Sequence, residues 1–205
     1  MSPPAAPDRF ARRLERAIAD DRVVEAMLSV PRDRFVAPEL VHDAWRNRPL
    51  PIGSGQTISQ PLLVARMCEL LTLGGGERVL DVGGGSGYHA AVLSRLAHWV
   101  WSIERREELV AVALSNLAAA GIDNVTMLVG DAADGYAAQA PYDAINVAAA
   151  APELAALAPL EQQLTVGGRL IAPVGGERQQ LVLVQRTAVG LRYAAVAAVR
   201  FVPLV

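Results

Sequence analysis

A glycine-rich segment with an acidic residue just ahead of it carries the clearest chemical signal in this chain of 205 residues. Residues 78–87 read RVLDVGGGSG, so Asp81 precedes Gly83, Gly85 and Gly87. Glycines in such a loop let the backbone approach a ligand closely and leave the N–H groups of a following helix free to bind it. A dinucleotide-binding loop has another glycine spacing, G-x-G-x-x-G, and a carboxylate here is unfavourable beside a pyrophosphate. The pattern therefore favours S-adenosylmethionine, which carries an ammonium group and a sulfonium but no phosphate.

Two further acidic residues stand at the ends of later apolar runs. Glu104 closes the run WVWSIE and follows the glycine loop by roughly 20 residues, a position from which a carboxylate can accept from both ribose hydroxyls. Asp131 follows Gly130 at the end of the next run, where it could accept from an adenine amino group or cap the following turn. Because the carboxyl ends of parallel strands meet at one sheet edge, we expect Asp81, Glu104 and Asp131 to face one crevice.

The elements that hold these residues alternate between short apolar runs and helical stretches. Such alternation is typical of an α/β fold with a doubly wound, mostly parallel sheet and helices on both faces. Two strand-like runs flank Gly190 and predict a C-terminal antiparallel strand pair at 180–186 and 191–199. The predicted strands before them are 78–82, 99–103, 125–129, 143–148 and 169–174, and the predicted helices between them are 88–96, 106–119 and 153–163.

The N-terminal part of the chain has a different sequence pattern, with predicted helices and a loop but no alternation of strands and helices. A charged helix is predicted over 8–19, a second helix after the cap at Asp20, and a third from Pro61. Before that third helix, residues 46–61 are dense in proline and glycine, which is typical of a shaped loop. We predict one domain over 1–205, with a helical and loop segment on the substrate side at 1–73 and a cofactor-binding core at 74–205.

Composition disfavours several classes of protein. The net charge is −2 and like charges form no block, which argues against binding to nucleic acid or to an anionic membrane surface. No apolar stretch suits a membrane span or a secretory signal. The single cysteine, Cys68, cannot form an internal disulfide, and the three histidines lack metal-ligand spacing. We therefore expect a cytoplasmic protein that uses no metal.

Six segments resemble one enzyme family, and the resemblance extends from about residue 21 to the C-terminus. On these segments the chain is similar to the protein-L-isoaspartate O-methyltransferases. The QTISQP part of the second segment is the most specific, because it lies outside the cofactor loop that many methyltransferases share. The segments are VPRDRFV at 30–36, RPLPIGSGQTISQP at 48–61, VLDVGGGSGY at 79–88, AAAPE at 149–153, GGRLIAPVG at 167–175 and RFVPL at 200–204.

The resemblance implies a Rossmann-like class I methyltransferase fold and a protein-repair reaction. This family uses S-adenosylmethionine to esterify the free α-carboxylate of L-isoaspartyl residues in damaged proteins, and S-adenosyl-L-homocysteine is the product. The implied partners are isoaspartyl proteins and peptides, with the chain a monomer or weak dimer. Carried onto this sequence, the resemblance implies that Ser59 is the active-site serine, that the cofactor contacts are Thr57, Ile58, Asp81, Gly83, Gly85, Gly87, Glu104, Asp131 and Ala132, and that the substrate contacts are Gln60, Val202 and Pro203.

The implied reaction asks the protein mainly to position its reactants. A carboxylate with a pKa of about 4 is already ionised at neutral pH, so methyl transfer to it needs no general base. The hydroxyl of Ser59 could orient such an acceptor. By its position alone, Ser59 is better suited to cap the helix that begins at Pro61, and the resemblance of the surrounding motif instead favours the active-site role.

Departures from the family pattern at Asn47, Gly84 and Ala148 keep other interpretations open. One is a methyltransferase of the same fold that acts on another carboxylate, a small molecule or a peptide. Another is a module that binds S-adenosylmethionine without turnover. The glycine loop could also serve only helix–sheet packing, whereas its spacing disfavours a nicotinamide oxidoreductase.

Overall fold

The computed structural model describes residues 6–131 and 133–204, and these residues form six α-helices and nine strands. The helices are α1 (Asp8–Ala17), α2 (Asp21–Ser29), α3 (Pro61–Leu71), α4 (Tyr88–Ser94), α5 (Glu107–Ala119) and α6 (Ala158–Gln162). The strands are β1 (Leu50–Gly53), β2 (Gln56–Ile58), β3 (Arg78–Val82), β4 (Trp99–Glu104), β5 (Val125–Val129), β6 (Tyr142–Val147), β7 (Leu164–Val174), β8 (Gln179–Thr187) and β9 (Gly190–Val199).

Seven of the strands form one sheet in the order β5-β4-β3-β6-β7-β8-β9. The strands from β5 to β7 are parallel, and β8 and β9 are added antiparallel at one edge. These pairings confirm the predicted α/β fold with its C-terminal antiparallel strands. The chain order reverses between β3 and β6, and ligands of open α/β sheets bind at such a switch point, beyond the carboxyl ends of the strands.

The small sheet of β1 and β2 is an antiparallel hairpin within the segment predicted as a loop. It leads directly into α3, which has Pro61 in its first turn. Proline is tolerated there because the first N–H groups of a helix have no intrahelical partner. The hairpin and the start of α3 thereby bring Ser59 to the end of the sheet where the glycine loop lies.

The predicted helix at 153–163 was wrong in form. The chain makes a 3₁₀ turn at Leu154–Leu157 and then begins α6 at Ala158. Pro159 lies in the first turn of α6, and a proline inside one longer helix would remove a hydrogen bond and clash with the preceding turn. The strand after it, β7, also begins five residues before the predicted start at 169.

The N-terminal segment and the sheet share one hydrophobic cluster. Phe10, Leu14 and Met27 are buried in the same cluster as Val79 of β3 and Ile171 of β7. A second cluster includes Leu80, Ile145 and Leu170, the sequence neighbours of strand residues in the first. Because successive side chains of a strand point to opposite faces, the two clusters cover the two faces of the sheet. None of the helices in residues 6–131 and 133–204 has both the length and the apolar character needed to cross a membrane.

Candidate active site

The glycine loop leaves β3 at Val82 and turns sharply into α4. The N–H groups of Gly83 and Gly84 donate to the carbonyl of Ile103, at 2.9 and 3.0 Å. Gly83, Gly85 and Gly87 have φ values of +87°, +53° and +84°, in the left-handed region that other residues avoid. The sequence therefore needs glycine at these three positions for the conformation of the loop.

Asp81 lies beneath this loop with its side chain completely buried. Its two carboxylate oxygens accept hydrogen bonds from Ser102 Oγ of β4 and Asn146 Nδ2 of β6, both at 2.7 Å. Burial raises the pKa of the carboxyl group, and the two hydrogen bonds oppose that shift. Asp81 lines none of the three cavities at this end of the sheet, and its hydrogen bonds join β3 to β4 and β6 beneath the loop.

A buried polar chain that was not predicted from the sequence continues from Asp81. Asn146 Nδ2 also lies 3.1 Å from His89 Nδ1, and His89 Nε2 lies 3.6 Å from Cys68 Sγ. Burial lowers the pKa of His89 to about 3, so its imidazole is neutral at physiological pH. The available signals were an asparagine inside the apolar run of β6 and a histidine just after the glycine loop.

Glu104 reaches the cavity at the end of β4. Its Oε2 accepts from the N–H of Gly85 and its Oε1 from the N–H of Arg106, both at 3.0 Å. The side chain is only 6% exposed, yet it lines the space beside the loop. The carboxylate is therefore fixed in place by backbone donors, with acceptor capacity left for a ligand.

Three adjoining spaces lie at this end of the sheet. A cavity of about 60 Å³ next to the glycine loop is lined by Thr57, Ile58, Ser59, Gly83, Gly85, His89 and Glu104, among others. A smaller space of about 50 Å³ extends from it and is lined by Gly83, Glu104 and Pro203. An open cleft of about 600 Å³ includes Gln60, and it shares Thr57, Ser59, Ala148 and Val202 with the first cavity.

Besides Asp81, two described cofactor positions predicted from the sequence, Gly87 and Asp131, do not line these cavities. Asp131 is exposed, and its Oδ1 accepts from the N–H of Ala133 at 3.0 Å, which is the turn-capping contact that its sequence position allowed. Ala132 lies outside the described residues. Gly87 packs closely against α5, because a Cβ on it would stand 3.2 Å from Ala113 Cβ.

The alternative role of Ser59 as a helix cap is wrong. The residue at the N-cap position of α3 is Gln60, and its side chain makes no capping hydrogen bond. Instead, Asn47 Oδ1 accepts from the N–H of Leu62 at 3.1 Å, so the residue that departs from the family pattern satisfies the first turn. The Ser59 hydroxyl makes no hydrogen bond within the described residues, and Ser59 lines both the cavity and the cleft.

Within residues 6–131 and 133–204, no group of three or more His, Cys, Asp or Glu side chains comes together as metal ligands would. A glycine loop at the switch point of the sheet, a fixed carboxylate after the next strand and an adjoining open cleft define a Rossmann-like methyltransferase. A family model described as protein-L-isoaspartate(D-aspartate) O-methyltransferase (PCMT) matches residues 10–205. The chain belongs to this family.

Individual relatives agree with this assignment. A protein-L-isoaspartate O-methyltransferase of Methanothrix thermoacetophila is 50% identical over 193 residues, which cover 93% of this chain and 90% of the relative. One solved structure of that name superposes with a TM-score of 0.85 at 30% identity, and the match covers 96% of this chain but 65% of the solved chain. A Plasmodium falciparum structure assigned to the same enzyme, in complex with S-adenosyl-L-homocysteine, gives a TM-score of 0.83 at 27% identity and covers 98% of both chains.

Proposed function

We propose that this protein methylates the free α-carboxylate of L-isoaspartyl residues in damaged proteins and peptides, with S-adenosylmethionine as methyl donor. The observation that carries the proposal is the position of Ser59, which lines both the cavity at the glycine loop and the open cleft. Relatives of about 50% identity bear the name of this activity. A site in which Ser59 borders both a cofactor cavity and an open cleft suits transfer between two bound partners.

The donor set of the cavity suits this cofactor. Glu104 would accept from the ribose hydroxyls, and the backbone of Gly83 and Gly85 would border the amino-acid part. The neutral imidazole of His89 places no positive charge on the cavity wall. When bound, S-adenosylmethionine supplies an activated methyl group on a sulfonium. Contacts from Thr57, Ile58, Asp131 and Ala132 remain part of the proposal.

We expect the hairpin to move outward when the cofactor binds. The cavity of about 60 Å³ is smaller than the roughly 300–1,000 Å³ of most small-molecule sites. Its roof is the β1–β2 hairpin, where Ile52 Cδ1 lies 3.1 Å from the place of a Cβ on Gly85. Outward displacement of Ile52 would widen the cavity towards the adjoining spaces and admit the adenosyl group.

The cleft suits an anionic peptide acceptor. Its lining in the described residues contains two cations, Arg66 and Arg200, and no acidic side chain. Gln60 and Val202 border the same space as Ser59. Since the acceptor carboxylate is already ionised, the Ser59 hydroxyl need only donate to one of its oxygens and leave the other facing the methyl group.

Two peptides that differ in one linkage test the substrate. One carries an L-isoaspartyl residue and the other a normal aspartyl residue in the same sequence. We expect base-labile methyl label on the isoaspartyl peptide alone. Label on neither peptide, with binding of S-adenosyl-L-homocysteine confirmed by calorimetry, would support a non-catalytic binding module, and label on another acceptor would support a different methyltransferase.

Ser59→Ala tests the residue. Loss of one positioned donor lowers kcat by about 10²–10³-fold in comparable sites, so we expect that loss here. The affinity for S-adenosyl-L-homocysteine should change little, because the hydroxyl is assigned to the acceptor. Ser115→Ala, on the exposed face of α5, is the control and should behave as wild type. Equal losses of turnover and cofactor affinity would contradict the assignment.

A further inference from the structure

Arg32 is a fully buried cation that forms no ion pair with a carboxylate among residues 6–131 and 133–204. Its side chain is 0% exposed, in a 3₁₀ turn at Arg32–Phe35. Nε donates to the carbonyl of Ala44 at 2.8 Å, and Nη2 donates to the carbonyl of Ser59 at 2.6 Å. The guanidinium carbon stands 4.6 Å from the centroid of the Tyr88 ring, and Nη1 has no partner within the described residues.

Stability alone does not explain a charge in this place. Removing a guanidinium from water is costly, and a well-packed apolar side chain in a buried site commonly folds as well or better. Burial also lowers the pKa of Arg32, with desolvation the largest cause. The contacts of Arg32 therefore point to a role in holding other groups in position.

These contacts join the two halves of the candidate active site. Tyr88 is the first residue of α4, directly after the glycine loop, and it lines the cofactor cavity. Ser59 lies on the other side of that cavity, between the hairpin and α3. A planar guanidinium can stack on a ring and direct several N–H groups at fixed angles, which a lysine ammonium cannot do.

The Ser59 hydroxyl has no hydrogen bond of its own within the described residues, so the course of the backbone sets its place. We propose that Arg32 is a positioning residue for the acceptor site, which holds the Ser59 carbonyl so that the Ser59 hydroxyl faces the acceptor. This inference rests on the proposed role of Ser59 in methyl transfer. It assigns to Arg32 an effect on turnover that is separate from its contribution to folding.

Arg32→Lys tests the proposal, because it keeps a cation and removes the planar fork. We expect kcat for the isoaspartyl peptide to fall about 100-fold, the scale at which small misplacements of catalytic groups act. The dissociation constant of S-adenosyl-L-homocysteine should stay within about threefold, since a structural defect would weaken it together with turnover. Thermal unfolding of each variant gives the folded fraction at the assay temperature.

Arg78 offers a matched control at the other end of the sheet. Its guanidinium carbon lies 5.0 Å from the Trp101 ring centroid, and Nη2 donates to the carbonyl of Gln139 at 2.7 Å. Arg78→Lys thus removes a guanidinium that, like that of Arg32, stacks on an aromatic ring and donates to a backbone carbonyl. Arg78, however, is remote from the cleft. We expect Arg78→Lys to keep the wild-type kcat.

A double variant separates action through Ser59 from general damage. If Arg32 acts through Ser59, Arg32→Lys combined with Ser59→Ala should be no slower than Ser59→Ala alone, because residues that act as a unit are not additive. Guanidinium added to Arg32→Ala should restore part of the lost turnover without changing the cofactor affinity. Multiplied losses in the double variant would overturn the proposal.

Hydrogen exchange provides a readout that does not need turnover. With S-adenosyl-L-homocysteine bound, amides of residues 57–63 should exchange about tenfold faster in Arg32→Lys than in wild type or Arg78→Lys. If wild type does not methylate the isoaspartyl peptide but this exchange rises, the proposed function fails and the positioning by Arg32 stands. If wild type is active and Arg32→Lys matches it in kcat and exchange, the inference about Arg32 is overturned.

Discussion

His89 is a histidine whose neighbours keep it neutral. Asn146 Nδ2 is a donor and lies 3.1 Å from His89 Nδ1, so Nδ1 accepts and the ring proton is on Nε2, facing Cys68. With a pKa lowered to about 3 by burial, the ring takes up no proton at neutral pH. The residue therefore contributes a shaped, uncharged wall to a cavity proposed to hold a cationic cofactor.

The low pKa of His89 makes stability depend on pH. An unfolded histidine has a pKa of about 6.5, so below that pH the unfolded chain binds a proton that the folded chain refuses. The contribution of His89 is complete above pH 6.5 and is lost as the pH falls towards 3. Between pH 7 and pH 4.5 we expect the free energy of unfolding to fall by roughly 2–3 kcal/mol because of this residue, as measured by urea unfolding, and we expect this loss to disappear in His89→Gln.

The pH dependence of unfolding in His89→Gln, subtracted from that of the wild type, separates the contribution of His89 from that of Asp81. The raised pKa of Asp81 acts in the opposite direction, because its folded carboxyl takes up a proton more readily than the unfolded one as the pH falls. His98→Gln, at an exposed position, is the control and should retain the wild-type dependence. An unchanged slope in His89→Gln would show that the buried ring does not set the acid limit of the fold.

Individual site residues were predictable to different degrees. Gly83, Gly85 and Glu104 could be predicted from their neighbours in the sequence. A glycine-rich turn after a strand predicts positive φ at the two glycines, and the end of an apolar run predicts the strand end at Glu104. The partners of Asp81 could not be inferred in this way. Ser102 and Asn146 meet Asp81 only through the registers of β4 and β6 against β3, which depend on packing of the whole sheet.

At the scale of elements, Gly84 shows how the loop and β4 fit together. Gly84 is one of the positions at which the chain departs from the family pattern. In the structure, a Cβ on Gly84 would stand 2.5 Å from Ser102 Oγ and 3.0 Å from Met127 Cε. The hydroxyl that supports Asp81 thus occupies the space that a side chain at position 84 would need.

Gly84→Ala should therefore destabilise the fold by about 1–3 kcal/mol through overpacking. In a double-mutant cycle with Ser102→Gly, we expect a coupling energy of about 1 kcal/mol in the stabilising direction, because removal of the hydroxyl vacates the space. Urea unfolding at neutral pH measures all four proteins. Gly76→Ala has no atom within 4 Å of the new Cβ and should lie within about 0.5 kcal/mol of wild type. Simple additivity of the two changes would contradict this account of the loop.

The order of the elements was largely predictable because hydrophobic periodicity is a local property. The predicted strands 78–82 and 125–129 match β3 and β5 residue for residue. The hairpin of β1 and β2 was missed because its strands are four and three residues long, too short for alternation to be recognised. The break before α6 was also missed. Pro159 could be assigned to the first turn of a new helix only once the 3₁₀ turn before it was known.

At the scale of the whole molecule, the N-terminal segment and the sheet have a common core. Phe10 packs against Trp45 with ring centroids 5.0 Å apart, and Phe10 belongs to the cluster that contains Val79 of β3. Separate domains would each bury their own core, and few contacts would cross the boundary. The prediction of a single domain over 1–205 thus has a direct consequence for unfolding.

We expect residues 1–73 and 74–205 to unfold in one cooperative transition. Trp45 reports on the first part, and Trp99 and Trp101 on the second. In urea, the fluorescence of Trp45 in the double variant Trp99→Phe/Trp101→Phe should follow the same curve as far-UV circular dichroism, and so should that of Trp99 and Trp101 in Trp45→Phe.

Because a ligand held by the hairpin and the glycine loop stabilises both parts, S-adenosyl-L-homocysteine at 100 times its Kd should shift every curve by about 2.7 kcal/mol. A Trp45 transition at lower urea, unmoved by the ligand, would instead make the N-terminal segment a separate unit.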